Sequence, residues 1–436
     1  MSQPLHQWSA VQLARALATR ELSAARLAAA LIERCAALEP QLHAWAWFDA
    51  DAALRQARAL DGASASGVLH GLPIGVKDII DTAGIPTAYG SAIHAGHVPA
   101  ADAACVALAR AAGAWVLGKT ASTEFANMTP GPTRNPHDGA HTPGGSSSGS
   151  AAAVACGMVP LALGTQTAGS VIRPAAFCGI VGYKPSPRRI PRSGTLANAD
   201  SLDEVGVLAR TVDDASLLAG VLGGRADAQL ASAQAFIPRI GVTLTSRQAQ
   251  LSIEMVAMLS ASAQRLSAAG AGVHDVVWPA SFDALFEAQR SVQLFETARA
   301  LALELQNHRL RLSAALAGFL DEGLRVEPAS YAAALASGRA AAGTLEALFS
   351  NVDVLIAPAA PGAAPRGLSS TGDPAFSRPW QLLGCPCVAI PGGVGMHRMP
   401  LGLQVIGRPN DDHRTLAAAA WIGGQLRAEE ALRART

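Results

Sequence analysis

Two short apolar runs bounded by glycine, Leu72–Ile80 (LPIGVKDII) and Ala114–Thr120 (AWVLGKT), flank Ala103–Gly113 (AACVALARAAG), which has helical spacing. A run that is apolar on both sides must be covered on both faces, and a strand–helix–strand order supplies that cover. This order predicts an α/β fold with a buried sheet and helices on both faces. Further strands are expected in 239–244, 273–278, 352–358 and 387–391, and a small-residue helix turning into a strand in 151–165. The segment 283–348 reads as helical. Ser9 and Ser23 each precede a helical pattern and suit N-caps, so residues 1–60 read as two or three helices.

Half of the 436 residues are apolar, enough for a large core. The formal net charge is +1, which argues against a nucleic-acid footprint and against an anionic-membrane surface. Neither a signal-peptide pattern nor a membrane span is read. The longest apolar stretch, Ala151–Leu163, is short and carries Gly157 and Pro160. The six cysteines show no zinc spacing, and Cys385 and Cys387 read as a strand-end pair. A cytoplasmic protein with reduced thiols is expected.

Lys and Arg together number 34, yet only Lys77, Lys119 and Lys184 are lysines. Arginine cannot deprotonate in a protein, whereas a buried lysine can. Each lysine is therefore a candidate for amine chemistry, or an ammonium fitted to a tight carbonyl cage.

Two motif matches fail on context. Gly113–Thr120 (GAWVLGKT) fits the P-loop pattern, but the residues between its glycines look like a strand rather than a phosphate-cradling turn. Gly145–Gly149 (GSSSG) fits the nucleophile elbow, but turn residues, not a strand, precede it. His94 and His97 sit in a loop and read as surface histidines rather than metal ligands.

His141–Ala153 (HTPGGSSSGSAAA) could be a flexible linker or an active-site loop. Gly164–Ser186 (GTQTAGSVIRPAAFCGIVGYKPS) places Ser170 after a turn of small residues, where backbone N–H groups can converge as an oxyanion hole requires. An ordinary Gly/Ser turn reads equally well.

Taken together with GLPIGVKDIIDTAG and GKTASTEFA, these blocks resemble the amidase signature family, densely over residues 61–210. GCPCVAIPGG and MPLGLQVIG add a weaker C-terminal likeness. The resemblance implies one amidase domain over 1–436: N-terminal helices to residue 60, a signature core over 61–210, and a part over 211–436 that completes the sheet and the substrate pocket. It implies a large mixed, twisted β-sheet covered by helices on both faces. It further implies a Ser170 nucleophile, a bridging Ser146 on a cis peptide, and Lys77 as general base. The backbone amides of Thr167, Ala168, Gly169 and Ser170 would hold the oxyanion. On this reading the serine loop is catalytic, with Gly144 and Gly145 lining the substrate. No metal or cofactor is implied, and a homodimer acting on a small-molecule amide is expected.

The chain departs from the family pattern at three places. Ser148 stands where a glycine is common. The usual G-x-D-x-G-G-S becomes Gly164-Thr-Gln166-Thr-Ala168-Gly-Ser170, and Ala168 would be strained at positive φ. Arg173 lies three residues after Ser170 instead of two. This block is similar to that of bacterial malonamidases, in which the shifted arginine binds a substrate carboxylate. Arg173 is thus expected either to select short carboxyl-bearing amides such as malonamate or to pair with an acid below the sheet. The rival readings are the A subunit of a tRNA-dependent amidotransferase, a general amidase for larger neutral amides, and a catalytically dead scaffold.

Overall fold

In the computed structural model, residues 3–64, 66–224 and 236–433 are described. The strands are β1 (Trp45–Phe48), β2 (Pro73–Lys77), β3 (Trp115–Thr120), β4 (Leu161–Gln166), β5 (Val181–Lys184), β6 (Glu204–Ala209), β7 (Ile240–Val242), β8 (Val273–Asp275), β9 (Val354–Pro358), β10 (Cys387–Val394) and β11 (Pro400–Ile406). They form one 11-stranded sheet in the order β1-β3-β2-β4-β6-β5-β10-β11-β9-β7-β8. β2 runs parallel to both β3 and β4, β7 runs parallel to β8 and β9, and the remaining pairs are antiparallel. The sheet is mixed, as expected. Every residue of β2, β3, β4, β5 and β6 is buried, which requires cover on both faces.

The N-terminal stretch is helical over Ala10–Ala18, Ala24–Leu42 and Ala50–Asp61, but it also contributes the edge strand β1. The four residues Trp-Ala-Trp-Phe were too few for a period to show, and pairing with β3 makes the strand. Ser9 and Ser23 cap as expected, and Ser9 forms a capping box with Gln12. Three further strands lie outside the runs read as strands: β5, β6 and β11. β7 and β8 are shorter than their apolar runs.

This topology gathers chain ends. β2 and β4 are parallel neighbours with Ile74 opposite Leu161, so their C-terminal ends, Lys77 and Gln166, reach the same edge. In α/β sheets, ligand sites form at that edge, in the loops beyond the strands. The serine loop crosses here and enters the helix Ser148–Ala155, all but the last of whose residues are buried. Gly149 lets that helix approach β1 and β3: a Cβ there would run into the Ala44 carbonyl oxygen and the Ala121 N–H. Gly149→Ala is therefore expected to lower unfolding free energy by ~1–3 kcal/mol or more, as overpacking does, measured by urea unfolding.

Candidate active site

Lys77 ends β2 with no exposed surface. Its Nζ contacts Ser146 Oγ at 2.7 Å and Thr165 Oγ1 at 2.8 Å. Burial pushes its ammonium down to about 7, and the nearby Asp203 carboxylate offsets only part of that. A lysine near 7 is half neutral at physiological pH and can accept a proton.

The Gly145–Ser146 peptide is cis. Gly144 has φ +81°, and its Cβ position is filled by Pro174. A Cβ on Gly145 would lie 2.6 Å from Thr371 Cγ2. The Ser146 carbonyl accepts the Thr123 N–H at 3.3 Å. Ser147, the central serine of the elbow-like match, is fully buried and exchanges hydrogen bonds with the Thr165 backbone, so it is no nucleophile.

Ser170 lies beyond the turn that follows β4 and is 9% exposed. The Ser147 N–H donates to the Ser170 carbonyl at 3.3 Å and joins the two loops. No hydrogen bond links the Ser146 and Ser170 hydroxyls among the described residues. The N–H groups of Thr167, Ala168, Gly169 and Ser170 likewise have no protein acceptor among the described residues. Ala168 is not at positive φ, so the strain weighed for it does not arise.

Arg173 is 5% exposed. Its Nη2 donates to the Gly145 carbonyl at 2.7 Å and to Thr371 Oγ1 at 3.0 Å. Nε and Nη1 have no hydrogen-bond partner among the described residues. Burial pushes the guanidinium down to about 10, partly offset by Asp373. Among the described residues it forms no ion pair with an acid, so the structural pairing weighed for Arg173 is not seen there.

Sequence reading missed several groups at this site. Asp203 accepts Thr167 Oγ1 at 2.5 Å and the Asn198 and Ala199 N–H groups, and burial raises it to about 6. Gln289, in the helix Ala284–Ala300, donates to the Thr167 carbonyl and accepts from Arg378. Thr371 and Arg378 come from a C-terminal stretch without a sequence pattern. The one available signal was Asp203, a carboxylate just before an apolar run. A cavity of about 480 Å³, lined by residues including Arg188, Arg192, Thr195 and Asp203, reaches the site's edge at Asp203 but is not lined by Lys77, Ser146 or Ser170.

The P-loop match resolves as a strand, whereas the two loop histidines part ways. Lys119 of the P-loop match lies in β3, and its Nζ is enclosed by the Ile80 carbonyl and the hydroxyls of Thr82 and Thr87. His97 is exposed, whereas His94 is half-buried and meets Glu304 at 3.0 Å. Cys387 begins β10 beside Cys385, and all six cysteines are unpaired. Among the described residues, no three His, Cys, Asp or Glu side chains group as metal donors, and no helix is long and apolar enough to cross a membrane.

A buried lysine held on one serine, a second serine and a row of N–H groups without protein acceptors at one sheet edge are groups that serine-based acyl transfer can use. The Amidase family profile matches residues 26–416, and the chain belongs to that family. It is an amide-hydrolysing enzyme. It is 35% identical to the A subunit of the glutamyl-tRNA(Gln) amidotransferase of Roseiflexus castenholzii, over 95% of this chain and 94% of that one. A crystal structure of an amidase superposes with a TM-score of 0.89 at 32% identity, covering 96% of this chain and 100% of the other. The peptide amidase of Stenotrophomonas maltophilia superposes with a TM-score of 0.82 at 29% identity, covering 97% and 98%.

The lysine sets a pH signature. An unfolded lysine keeps its proton to about 10.5, whereas Lys77 in the fold releases it near 7. Between these values the unfolded chain binds the extra proton, so Lys77 costs stability at neutral pH and ceases to do so as the pH climbs towards 10.5. Lys77→Met is expected to be inactive yet more stable than wild type at pH 7, with the difference shrinking by pH 10. Urea unfolding across that range checks it; a difference independent of pH would refute the lowered lysine.

Proposed function

We propose that Ser170 is the nucleophile, Ser146 the relay and Lys77 the general base of amide hydrolysis. The observation that carries this reading is the dry Lys77 amine held on Ser146 Oγ at 2.7 Å. Neutral Lys77 takes the Ser146 proton as Ser146 takes that of Ser170, and Ser170 Oγ attacks the amide carbon. The N–H groups of Thr167, Ala168, Gly169 and Ser170 receive the developing oxyanion; losing one such donor typically costs ~10²–10³ in rate. Collapse breaks the C–N bond, and the leaving amine takes the proton back through the relay. Water then attacks the ester on Ser170 with Lys77 again as base, releasing the carboxylic acid. The gap between the two serine hydroxyls fits catalytic hydrogen bonds that tighten only around substrate.

The near full-length likeness to the A subunit of an amidotransferase supports a setting in which this chemistry serves a multi-chain, tRNA-dependent complex. The relatives favour that setting over a malonamate-selective enzyme. The expectation that nucleic acid plays no part is withdrawn on the same ground, because one member of an assembly need not carry the basic footprint itself.

A second reading rests on Arg173. Its unpartnered Nε and Nη1 beside the Gly145 carbonyl support recognition of a carboxylate on the acyl group, as in malonamate. The structural likeness to an amidase and a peptide amidase supports a chain that works alone, on small or larger neutral amides.

Ammonia release by the purified chain without ATP, on malonamate, propionamide and glutamine, separates these settings. Ser170→Ala is expected to abolish any turnover. If Arg173 reads a carboxylate, Arg173→Met raises KM for malonamate and leaves propionamide unchanged; equal effects on both substrates remove that role. Turnover of glutamine only when a partner is added favours the complex.

A further inference from the structure

The turn that carries Ser170 leaves its own four N–H groups free, so something else must hold its ends. Gln166, 1% exposed at the end of β4, does this with one amide oxygen. Its Oε1 accepts the N–H groups of Val171 at 2.9 Å and Ile172 at 3.0 Å, immediately after Ser170. These groups open the helix Ile172–Cys178, which has no side-chain cap of its own at Val171.

The oxygen can face those N–H groups only if the Gln166 amide nitrogen faces away and finds an acceptor. Gln381, 5% exposed in the short helix Arg378–Leu382, supplies it: Gln166 Nε2 donates to Gln381 Oε1 at 3.0 Å. Gln381 Nε2 in turn donates to the Leu202 carbonyl and, at 3.5 Å, to the Gln166 carbonyl. Reversing either amide would set like groups against each other. Each glutamine therefore fixes the orientation of the other.

We propose that the Gln166–Gln381 pair is a positioning device for the nucleophile: it pins both ends of the Thr167–Ser170 turn and so sets the line from Ser170 Oγ to the reacting carbon. This rests on the reading of Ser170 as nucleophile. The pair also ties the turn to Leu202, next to the Asp203 that holds Thr167. A C-terminal helix thereby shapes a loop more than 200 residues earlier in the chain.

The test uses a small alkyl fluorophosphonate, which Ser170 attacks at phosphorus with loss of fluoride, and reads kinact and KI separately with the labelled residue identified by mass spectrometry. Gln166→Leu removes the oxygen and is expected to lower kinact ~10²-fold with KI unchanged, as a small misplacement of a reacting group does. Gln381→Leu frees the Gln166 amide to turn over and is expected to lower kinact less, about tenfold. Val181→Ala, a core truncation in β5, serves as a destabilised control with wild-type kinact. In both glutamine variants the acid limb of kinact should stay near 7, because Lys77 is untouched. Wild-type kinact in folded Gln166→Leu or Gln381→Leu would overturn the device. So would a kinact loss that tracks the unfolding midpoint equally in Val181→Ala. If wild-type protein is not labelled at Ser170, the nucleophile reading falls and takes the device with it.

Discussion

The chemistry proposed for this site depends on keeping one amine out of water. Water would hold Lys77 as an ammonium, and an ammonium cannot take a proton from a serine. The β2–β4 pairing provides the dry setting, because both strands are buried throughout and deliver Lys77 and Thr165 side by side. The serine loop then closes over the amine, placing Ser146 as its second contact. Asp203 limits the effect: its carboxylate favours the charged lysine, and since burial raises it only to about 6 it is ionised where Lys77 gives up its proton, so desolvation of the amine has to outweigh that pull.

Around that amine the protein uses glycine and serine for opposite ends. Gly144, Gly145 and Gly149 are small because Pro174, Thr371 and the Ala44 and Ala121 backbone press against them. The serines of the loop are nearly all committed: Ser147 to Thr165, Ser148 to the Ala121 carbonyl, Ser150 to Thr120 and the Leu163 carbonyl. A loop with this many fixed bonds holds one geometry, unlike a Gly/Ser linker of similar composition.

Much of this was legible because the site is built from local blocks. Lys77, the serine loop and the Ser170 turn each read from a short segment whose residue types fit one task. The strand–helix–strand order also read directly, since complete burial leaves an apolar run. Two kinds of feature were not legible. Short strands such as β1 owe their state to a partner far along the chain, not to their own period. The groups that finish the site arrive through tertiary contacts: Asp203 carried only the faint signal of an acid before an apolar run, and Gln289, Thr371, Arg378 and Gln381 stand in the sequence as ordinary polar residues. Ala168 shows the converse: the departure from glycine is real, but the turn avoids positive φ and absorbs it.

The three lysines show why burial by itself does not make a base. All three are fully buried. Lys119 is also pushed down, to about 8, but one of its three contacts is the Ile80 carbonyl, which can only accept. Its other contacts, Thr82 and Thr87, donate their own hydroxyl protons to the carbonyls of Ile80 and Ile85, which turns their lone pairs towards the amine. That cage is set to receive protons from an ammonium. Lys184 has no hydrogen-bond partner at Nζ among the described residues, with Glu204 as its charged neighbour. Lys77 alone meets two hydroxyls, neither of which donates to a backbone carbonyl. Either can reverse its bond, donating to a neutral amine or accepting from a charged one, so a proton can cross from Ser146 to Lys77 and return without rearranging the protein. In a chain that uses arginine for nearly every other cation, the lysine that fits the proposed catalysis is the one whose neighbours can hydrogen-bond in both directions.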